Sequence, residues 1–204
     1  MEFLHSKLRH IIYISSCTVY GWPETLPVVE TSPLNPENVY SLAKISTEKT
    51  LCQFKEKYNI PITIFRISQI YGPGSSNKAA MYQFLKLAHN GKRPRIFCNP
   101  QTTRDYIHVS DVINIIIYSF NNLIDGIYNI GIGKGTTIGE LANICTKIAG
   151  SDKKPKIIKT EDNKMKNMLL DITKAKRELN FFPCVKLEDG LRSEYERLYK
   201  LMHQ

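Results

Sequence analysis

The chain alternates short runs of β-branched apolar residues with longer segments that are typical of helices. Strands are predicted at residues 10–15, 62–67 and 126–131, with shorter ones at 95–97, 105–108 and 156–159. Helices are predicted at residues 37–58, 81–90, 109–123, 137–149, 173–179 and 187–203. Continuous apolar strands are buried on both faces, and strands that alternate with helices pair in parallel. The pattern therefore predicts an α/β fold with a parallel sheet.

Length and composition are those of a folded protein with its own core. The chain has 204 residues, 42% of them hydrophobic, which excludes a disordered protein. No apolar run approaches the roughly 20 residues that span a bilayer, and the first residues lack the apolar core of a secretory signal. We therefore expect a cytoplasmic protein with no membrane partner. The five cysteines never form a C-x-x-C pair, so neither a metal site nor a disulfide framework is predicted.

The net charge of +9 raises the question of an anionic partner. Much of this charge comes from basic residues late in the chain: Lys153, Lys154, Lys156, Lys159, Lys164, Lys166, Lys174, Lys176 and Arg177. No aromatic residues interleave with the first six, and no nucleic-acid-binding module is visible. We predict a solvated basic face, or one that attracts a diphosphate substrate. A basic nucleic-acid-binding protein remains the remote alternative, and no nucleic acid is expected as a partner.

A tyrosine and a lysine share one face of the helix predicted at residues 37–58. Tyr40 and Lys44 are spaced i and i+4, and an ammonium beside a phenol favours the ionised phenol, a general base. Ser16 follows the first predicted strand, at the end where ligands bind in open α/β sheets. Tyr82 and Lys86 repeat the spacing, but no serine lies 24 residues before Tyr82 as Ser16 does before Tyr40. We interpret the second pair as coincidence.

These residues resemble the extended short-chain dehydrogenase/reductase family, and more closely its NAD-dependent nucleotide-sugar epimerases and dehydratases. The resemblance rests on ordered motifs from residue 10 to residue 181: Ser16 with Val19-Tyr20-Gly21, Tyr40-x-x-x-Lys44, Arg66-x-x-x-Ile70-Tyr71-Gly72-Pro73, Arg104-Asp105-Tyr106-Ile107-His108-Val109, Tyr128-Asn129-Ile130-Gly131 and Asp171-Ile172-Thr173-Lys174-Ala175.

The resemblance implies a role for each candidate residue. Tyr40 would take a proton from a sugar hydroxyl as hydride leaves the same carbon, and Lys44 would assist Tyr40 and hold the nicotinamide ribose of NAD or NADP. Ser16 would donate a hydrogen bond to the reacting oxygen. Arg104 would bind the diphosphate of a nucleotide-diphosphate sugar, unless it pairs with a nearby carboxylate. Gln69 stands where the family has a substrate-binding asparagine.

Other positions bear on the subtype. Dehydratases of this family carry an Asp-Glu pair where this chain has Cys17 and Thr18, so the resemblance favours a 4-epimerase, with a 4-keto reductase as the alternative. The Arg-x-Gly-Asp-like stretch with which the family holds the nucleotide is missing. Lys164 or Lys166 would replace the charge of its arginine, but a lysine cannot form the two parallel hydrogen bonds of a guanidinium. His108 is expected to be structural.

The glycine-rich dinucleotide-binding βαβ unit of the family has no counterpart before residue 11. The glycines at 131, 133 and 135 lack the G-x-x-G ending and are interpreted as a flexible turn into a helix. We therefore expect a partial Rossmann-type, doubly wound parallel sheet with a small C-terminal α+β substrate-binding lobe. Residues 1–75 would form the C-terminal half of the Rossmann-type domain. Residues 76–204 would form mainly the lobe, with 109–131 returning a helix and a strand to the sheet.

Two functional hypotheses remain open. The chain is a truncated, inactive part of an enzyme that needs a missing N-terminal half, or it is a module that binds sugar nucleotides without catalysis. A homodimer through the helix that bears Tyr40 is implied by the resemblance.

Overall fold

A computed structural model describes residues 8–76, 78–158 and 166–202. The strands are β1 (Ile11–Ser16), β2 (Ile62–Ile67), β3 (Gln69–Tyr71), β4 (Arg95–Ile96), β5 (Thr103–His108), β6 (Gly126–Ile130), β7 (Gly135–Thr137) and β8 (Lys156–Ile157). The helices are α1 (Val39–Tyr58), α2 (Ala80–His89), α3 (Val109–Asn122), α4 (Ile138–Ile148), α5 (Thr173–Leu179) and α6 (Leu187–Met202).

The central sheet contains three parallel strands in the order β1–β2–β6. Ile14 lies opposite Phe65 of β2, and Phe65 lies opposite Tyr128 of β6. Every residue of β2 is buried, as expected for the middle strand of a sheet covered on both faces. Within the described residues, β1 pairs only with β2, so its other edge is open.

Helix α1 crosses one face of this sheet and carries the Tyr40–Lys44 pair. It begins after Asn38, whose side chain accepts a hydrogen bond from the backbone N–H of Ser41. The backbone N–H of Asn38 in turn donates to the Ser41 hydroxyl oxygen, which completes a capping box. It ends at Asn59, whose left-handed φ of 52° suits an asparagine C-cap. On the other face, α3 and α5 pack their apolar side chains against β2 and β6.

A second group of elements forms the lobe beside the sheet. Strand β5 pairs in parallel with β3 and antiparallel with β7, and β4 pairs with β8. Helices α2, α4 and α6 share a separate apolar core that includes Leu85, Leu141 and Leu191. The sheet and the lobe thus have distinct cores, joined through the segment from β3 to β5.

The predicted α/β class and the parallel sheet are confirmed, with local differences. Strands β3 and β7 were not predicted, because three-residue strands show no periodicity of their own. The turn at residues 131–135 leads into β7 before helix α4, and Asp105 accepts hydrogen bonds from its backbone, as described below. Helix α1 starts two residues later than predicted, after its Asn38 cap. Three residues of the predicted elements and sites lie outside the described residues: Lys159, Lys164 and His203.

Among the described residues, no helix has the length and apolar character needed to cross a membrane.

Candidate active site

The structure places Lys44 against the end of β1. Its Nζ donates a 2.7 Å hydrogen bond to the carbonyl oxygen of Ile14, two residues before Ser16. The same Nζ lies 5.6 Å from the centre of the Tyr40 ring and 4.8 Å from that of Tyr13. The predicted i and i+4 pair therefore forms, and its ammonium group bridges helix α1 and the strand that leads to Ser16. The Tyr40 side chain is 56% exposed, so its phenol is open to a ligand.

Ser16 ends β1 and caps the single turn of 3₁₀ helix that follows at Cys17–Tyr20. Its Oγ accepts hydrogen bonds from the backbone N–H of Thr18 at 3.2 Å and from Thr18 Oγ1 at 3.0 Å. Because Ser16 is the acceptor in both, its own hydroxyl proton can be donated to a substrate oxygen. The capping role and a catalytic role are therefore compatible.

A buried ion pair fixes α1 against the sheet. Arg66 of β2 donates to Glu48 of α1, with Nη2 and Oε2 2.7 Å apart, and both side chains are 4% exposed. Glu48 also accepts from Ser15 Oγ, and Arg66 Nη1 donates to Tyr20 Oη at 3.1 Å. Burial raises the pKa of Tyr20 to about 12, so this phenol stays neutral and acts as a structural group. The network sets the position of the helix that presents Tyr40.

A cavity of about 210 Å³ opens beyond the end of β1. Two predicted substrate-binding residues, Gln69 and Arg104, are among its lining, and so are Cys17 and Thr18. The remaining lining residues are Gly21, Trp22, Glu37, Asn38, Ser68, Asp105 and Met168. The structure thus brings Gln69 and Arg104 together with the turn that follows Ser16, whereas Ser16, Tyr40 and Lys44 do not line this cavity.

Arg104 lines the cavity and, within the described residues, forms no ion pair. Its Nη1 donates to the carbonyl oxygens of Lys166 and Thr103, and its guanidinium carbon lies 5.9 Å from the centre of the Trp22 ring. The possible ion pair with Asp111 does not form, because Asp111 accepts the backbone N–H groups of Cys184 and Val185 instead. Burial lowers the pKa of Arg104, which means that an anion entering the cavity would relieve an uncompensated charge.

Cys17 occupies the place where dehydratases of this family have an acid. Burial raises the pKa of its thiol to about 12, and the charge of Asp105 acts in the same direction. A thiol with this pKa stays protonated at neutral pH and is a poor general base. The structure therefore supplies no acid–base pair at positions 17 and 18.

Asp105 is the residue whose importance the sequence motif did not reveal. Its carboxylate accepts the N–H groups of Ile132 at 2.8 Å and Gly133 at 3.0 Å, and Ser68 Oγ donates to it at 3.3 Å. Gly131 is required beside it, since an added Cβ there would lie 2.5 Å from Asp105 Oδ2. Burial raises the pKa of Asp105 despite these donors. The sequence carried no signal for this role, because the contact of Asp105 with the turn and its burial are created only by tertiary packing.

Two further interpretations can be compared with the structure. His108 caps α3, accepting the Ser110 N–H at 3.3 Å, and stacks edge-on against Tyr71, so it is structural as predicted. Tyr82 is buried and donates to the Gly72 carbonyl oxygen at 2.7 Å, within the core of the lobe. The second Tyr-x-x-x-Lys match is therefore a packing feature.

Comparison with known proteins shows the family to which the chain belongs. The model of the NAD dependent epimerase/dehydratase family matches residues 2–131, more than half of the chain. The chain belongs to this family. UDP-glucose 4-epimerase of Mycolicibacterium smegmatis is 27% identical over 93% of the chain. The crystal structure of UDP-glucose 4-epimerase from Thermotoga maritima with UDP-glucose superposes with a TM-score of 0.88 at 30% identity over 96% of the chain.

UDP-glucuronic acid 4-epimerase from Bacillus cereus, solved with NAD, gives a TM-score of 0.85 at 30% identity over 97% of the chain. The chain spans 62% of the M. smegmatis protein and 65% and 63% of the two solved chains. It therefore matches less than two thirds of each relative's length.

Proposed function

We propose that this chain is the catalytic and substrate-binding part of an NAD(P)-dependent nucleotide-sugar 4-epimerase. The observation that carries the proposal is the position of Lys44, whose ammonium joins the Tyr40 ring to the end of β1 beside Ser16. The protonated thiol of Cys17 supports epimerase over dehydratase, because elimination of water needs an acid–base pair there. An epimerase needs only a proton acceptor, a donor to the reacting oxygen and room for the sugar to turn.

In the proposed reaction, Tyr40 accepts the proton of a sugar hydroxyl while Ser16 donates a hydrogen bond to the same oxygen. The Lys44 ammonium stabilises the negative charge that develops on the Tyr40 oxygen. NAD, when bound, supplies the reversible hydride acceptor. Tyr40 then returns its proton to the oxygen of the rotated sugar, which gives the 4-epimer.

The described residues would bind the nicotinamide end of a dinucleotide but not its pyrophosphate. Tyr40 and Lys44 would contact the nicotinamide ribose. The turn at residues 131–135 is closed to a pyrophosphate, because Asp105 already accepts its Ile132 and Gly133 N–H groups and would repel a phosphate. Binding of the pyrophosphate therefore requires a glycine-rich unit outside the described residues.

The open edge of β1 is where such a unit would attach. A parallel strand can pair there, and α3, which packs near β1, presents an exposed apolar stripe of Ile113, Ile117 and Phe120. We propose that a dinucleotide-binding βαβ unit, in the same polypeptide or in another, covers both surfaces. Residues 1–75 and 109–131 would then complete one Rossmann-type domain. The rest of 76–204 would form mainly the substrate lobe, except that α5 packs against the sheet. Without that unit, little or no activity is expected.

The substrate would be a nucleotide-diphosphate sugar. Gln69 and Arg104 line the cavity next to the proposed catalytic residues, and within the described residues Arg104 forms no ion pair. Lys166, whose carbonyl oxygen accepts from Arg104, would supply a second positive charge. The exposed Val39 and Leu42 of α1 are candidates for a homodimer contact.

The decisive experiment is a chimera. The part of the T. maritima UDP-glucose 4-epimerase that precedes its counterpart of β1 is joined to residue 11 of this chain, and conversion of UDP-glucose to UDP-galactose is followed by chromatography. Tyr40→Phe should lower the rate by about 10²-fold or more, and Tyr82→Phe, the matched control outside the site, should keep catalysis if the variant folds. A folded chimera that binds NAD and is equally active with Phe at position 40 would refute the proposal.

The same protein separates the alternatives. A 4-keto reductase would leave UDP-glucose unchanged but oxidise NADPH when given a 4-keto sugar nucleotide. A non-catalytic binding module would raise the melting temperature of the unmodified chain with UDP-glucose while the chimera stays inactive. The 4-epimerase proposal requires product from UDP-glucose itself.

A further inference from the structure

A second cleft, of about 540 Å³, lies between α4, α5 and the start of α6. Its apolar lining includes Tyr106, Ile132, Ile144 and Val185, and Phe182, 58% exposed, forms part of its wall. It shares no lining residue with the cavity beside β1. The cleft is therefore separate from the proposed active site.

Three lysines line this cleft: Lys134, Lys176 and Lys186. Within the described part of the chain, none of them forms an ion pair with a carboxylate. The one acidic lining residue, Glu188, is shared between Lys147 at 3.6 Å and Arg192 at 3.7 Å. The cleft thus combines an apolar wall with an excess of positive charge.

Two carboxylates outside the lining act on the cleft lysines. Glu140, which accepts the backbone N–H of Thr137 at 2.8 Å in the α4 capping box, interacts electrostatically with Lys134. Asp171, which accepts the N–H of Thr173 at 2.7 Å ahead of α5, interacts in the same way with Lys176. These carboxylates offset part of the positive charge of the cleft, and an anion from solution would complement the rest.

We propose that this cleft is a binding site for a small phosphate ester with an aromatic body. Phe182 and the apolar lining would bury the ring, and the three ammonium groups would bind the dianionic phosphate. A volume of about 540 Å³ is within the range of small-molecule sites. The proposal does not depend on the epimerase assignment, because it uses no residue of the proposed active site.

The site also has a structural connection to the cavity beside β1. Ile132 and Lys134 line the cleft, and Asp105, which lines the cavity, holds the N–H groups of Ile132 and Gly133. The cavity and the cleft are therefore linked through the hydrogen bonds of Asp105 to this turn.

The test uses the 204-residue chain and 1-naphthyl phosphate as the probe, followed by calorimetry. The triple variant Lys134→Gln, Lys176→Gln, Lys186→Gln should bind about tenfold or more weakly, equivalent to at least about 1.4 kcal/mol. The matched control, Lys153→Gln, Lys154→Gln, Lys156→Gln, removes the same charge elsewhere and should bind as the unmodified chain does. Equal weakening in both triple variants, or no binding to the unmodified chain, would overturn the proposal.

The alkylation rates of two exposed cysteines show where the probe binds. Cys184 lines the cleft, whereas Cys52 lies on α1, outside it. Saturating 1-naphthyl phosphate should slow the alkylation of Cys184 by iodoacetamide severalfold and leave that of Cys52 unchanged, as measured by peptide mass spectrometry. Protection of neither cysteine, or of both equally, would place the probe elsewhere and contradict the proposal. Inorganic phosphate as a second probe should protect Cys184 less, because it lacks the ring that Phe182 would contact.

Discussion

At the residue scale, the proposed active site depends on side chains that never touch a substrate. Glu48 and Arg66 hold α1 on the sheet, and Asp105 holds the turn that follows β6. Neither Glu48 nor Asp105 stands out in the sequence, because one carboxylate in a polar helix or a charged motif resembles any other. Their roles come from burial, which makes an unpaired charge costly and a paired one strongly orienting.

The buried ion pair should contribute strongly to stability. Glu48→Gln keeps the side-chain shape but leaves the Arg66 charge unpaired, and we expect a loss of about 3–5 kcal/mol in the free energy of unfolding by urea. Arg177→Ala breaks the exposed pair with Glu178 and should leave the free energy of unfolding nearly unchanged, because water screens an exposed ion pair. A similar small loss for both variants would show that the Glu48 pair does not orient α1.

The contribution of Asp105 to the free energy of unfolding should fall as the pH rises, whereas that of an aspartate with a lowered pKa rises. Burial raises the pKa of its carboxyl, so the folded protein binds this proton more tightly than the unfolded chain does. Its contribution is therefore full below the unfolded pKa and is lost as the pH rises through the folded pKa. The stability of the unmodified chain relative to Asp105→Asn should fall as the pH rises above about 4, the pKa of an aspartate in the unfolded chain.

Urea unfolding across this pH range measures that difference. Asp152→Asn, at an exposed position, is the control and should show no such trend relative to the unmodified chain. A relative stability that stays constant or rises with pH for Asp105→Asn would contradict the assignment.

At the scale of elements, β1 and α3 each present an apolar surface that the described residues do not cover. On α3, Ile113, Ile117 and Phe120 are 47%, 53% and 68% exposed and recur at helical spacing. On the opposite side of the same helix, Val112 and Ile115 are buried against the sheet. A helix that is apolar on two sides is typical of a buried position between two layers.

The exposed stripe should therefore control self-association. Ile113→Lys with Phe120→Lys should reduce light scattering on heating and leave the melting temperature nearly unchanged, since exposed substitutions cost about 0.5 kcal/mol or less. Asn114→Lys with Asn122→Lys adds the same charge to the same helix and should have a smaller effect on scattering. Equal effects from the two pairs would mean that charge alone, and not the stripe, governs association.

At the scale of the whole molecule, the sheet and the lobe bring the end of β1, the start of α1 and the first residues of β5 to one region. These elements are distant in sequence. The parallel pairing of β1 with β2 places the end of β1, and the parallel pairing of β5 with β3, which follows β2, places β5. In the proposed function the dinucleotide site would be divided, with the nicotinamide side in this chain and no site for the pyrophosphate among the described residues.

Titration with NAD tests this division. The unmodified chain should show no saturable binding below about millimolar NAD, whereas the chimera with the T. maritima segment should bind in the micromolar range. Fluorescence of the bound cofactor after reduction measures both. Micromolar affinity in the unmodified chain would show that the described residues include a pyrophosphate site.

The sequence by itself determined the α/β class, the main helices and the Tyr40–Lys44 pair, because strand and helix periodicity and i, i+4 spacing are local properties of the chain. Cap residues such as Asn38 are local features too, but the residue at which each helix begins was identified only from the hydrogen bonds of the cap. Only the tertiary structure decided that Arg104 faces a cavity and avoids Asp111, that Asp105 closes the 131–135 turn, and that Lys44 reaches Ile14. These contacts join residues up to tens of positions apart, and their strength depends on burial, which only the packed chain creates.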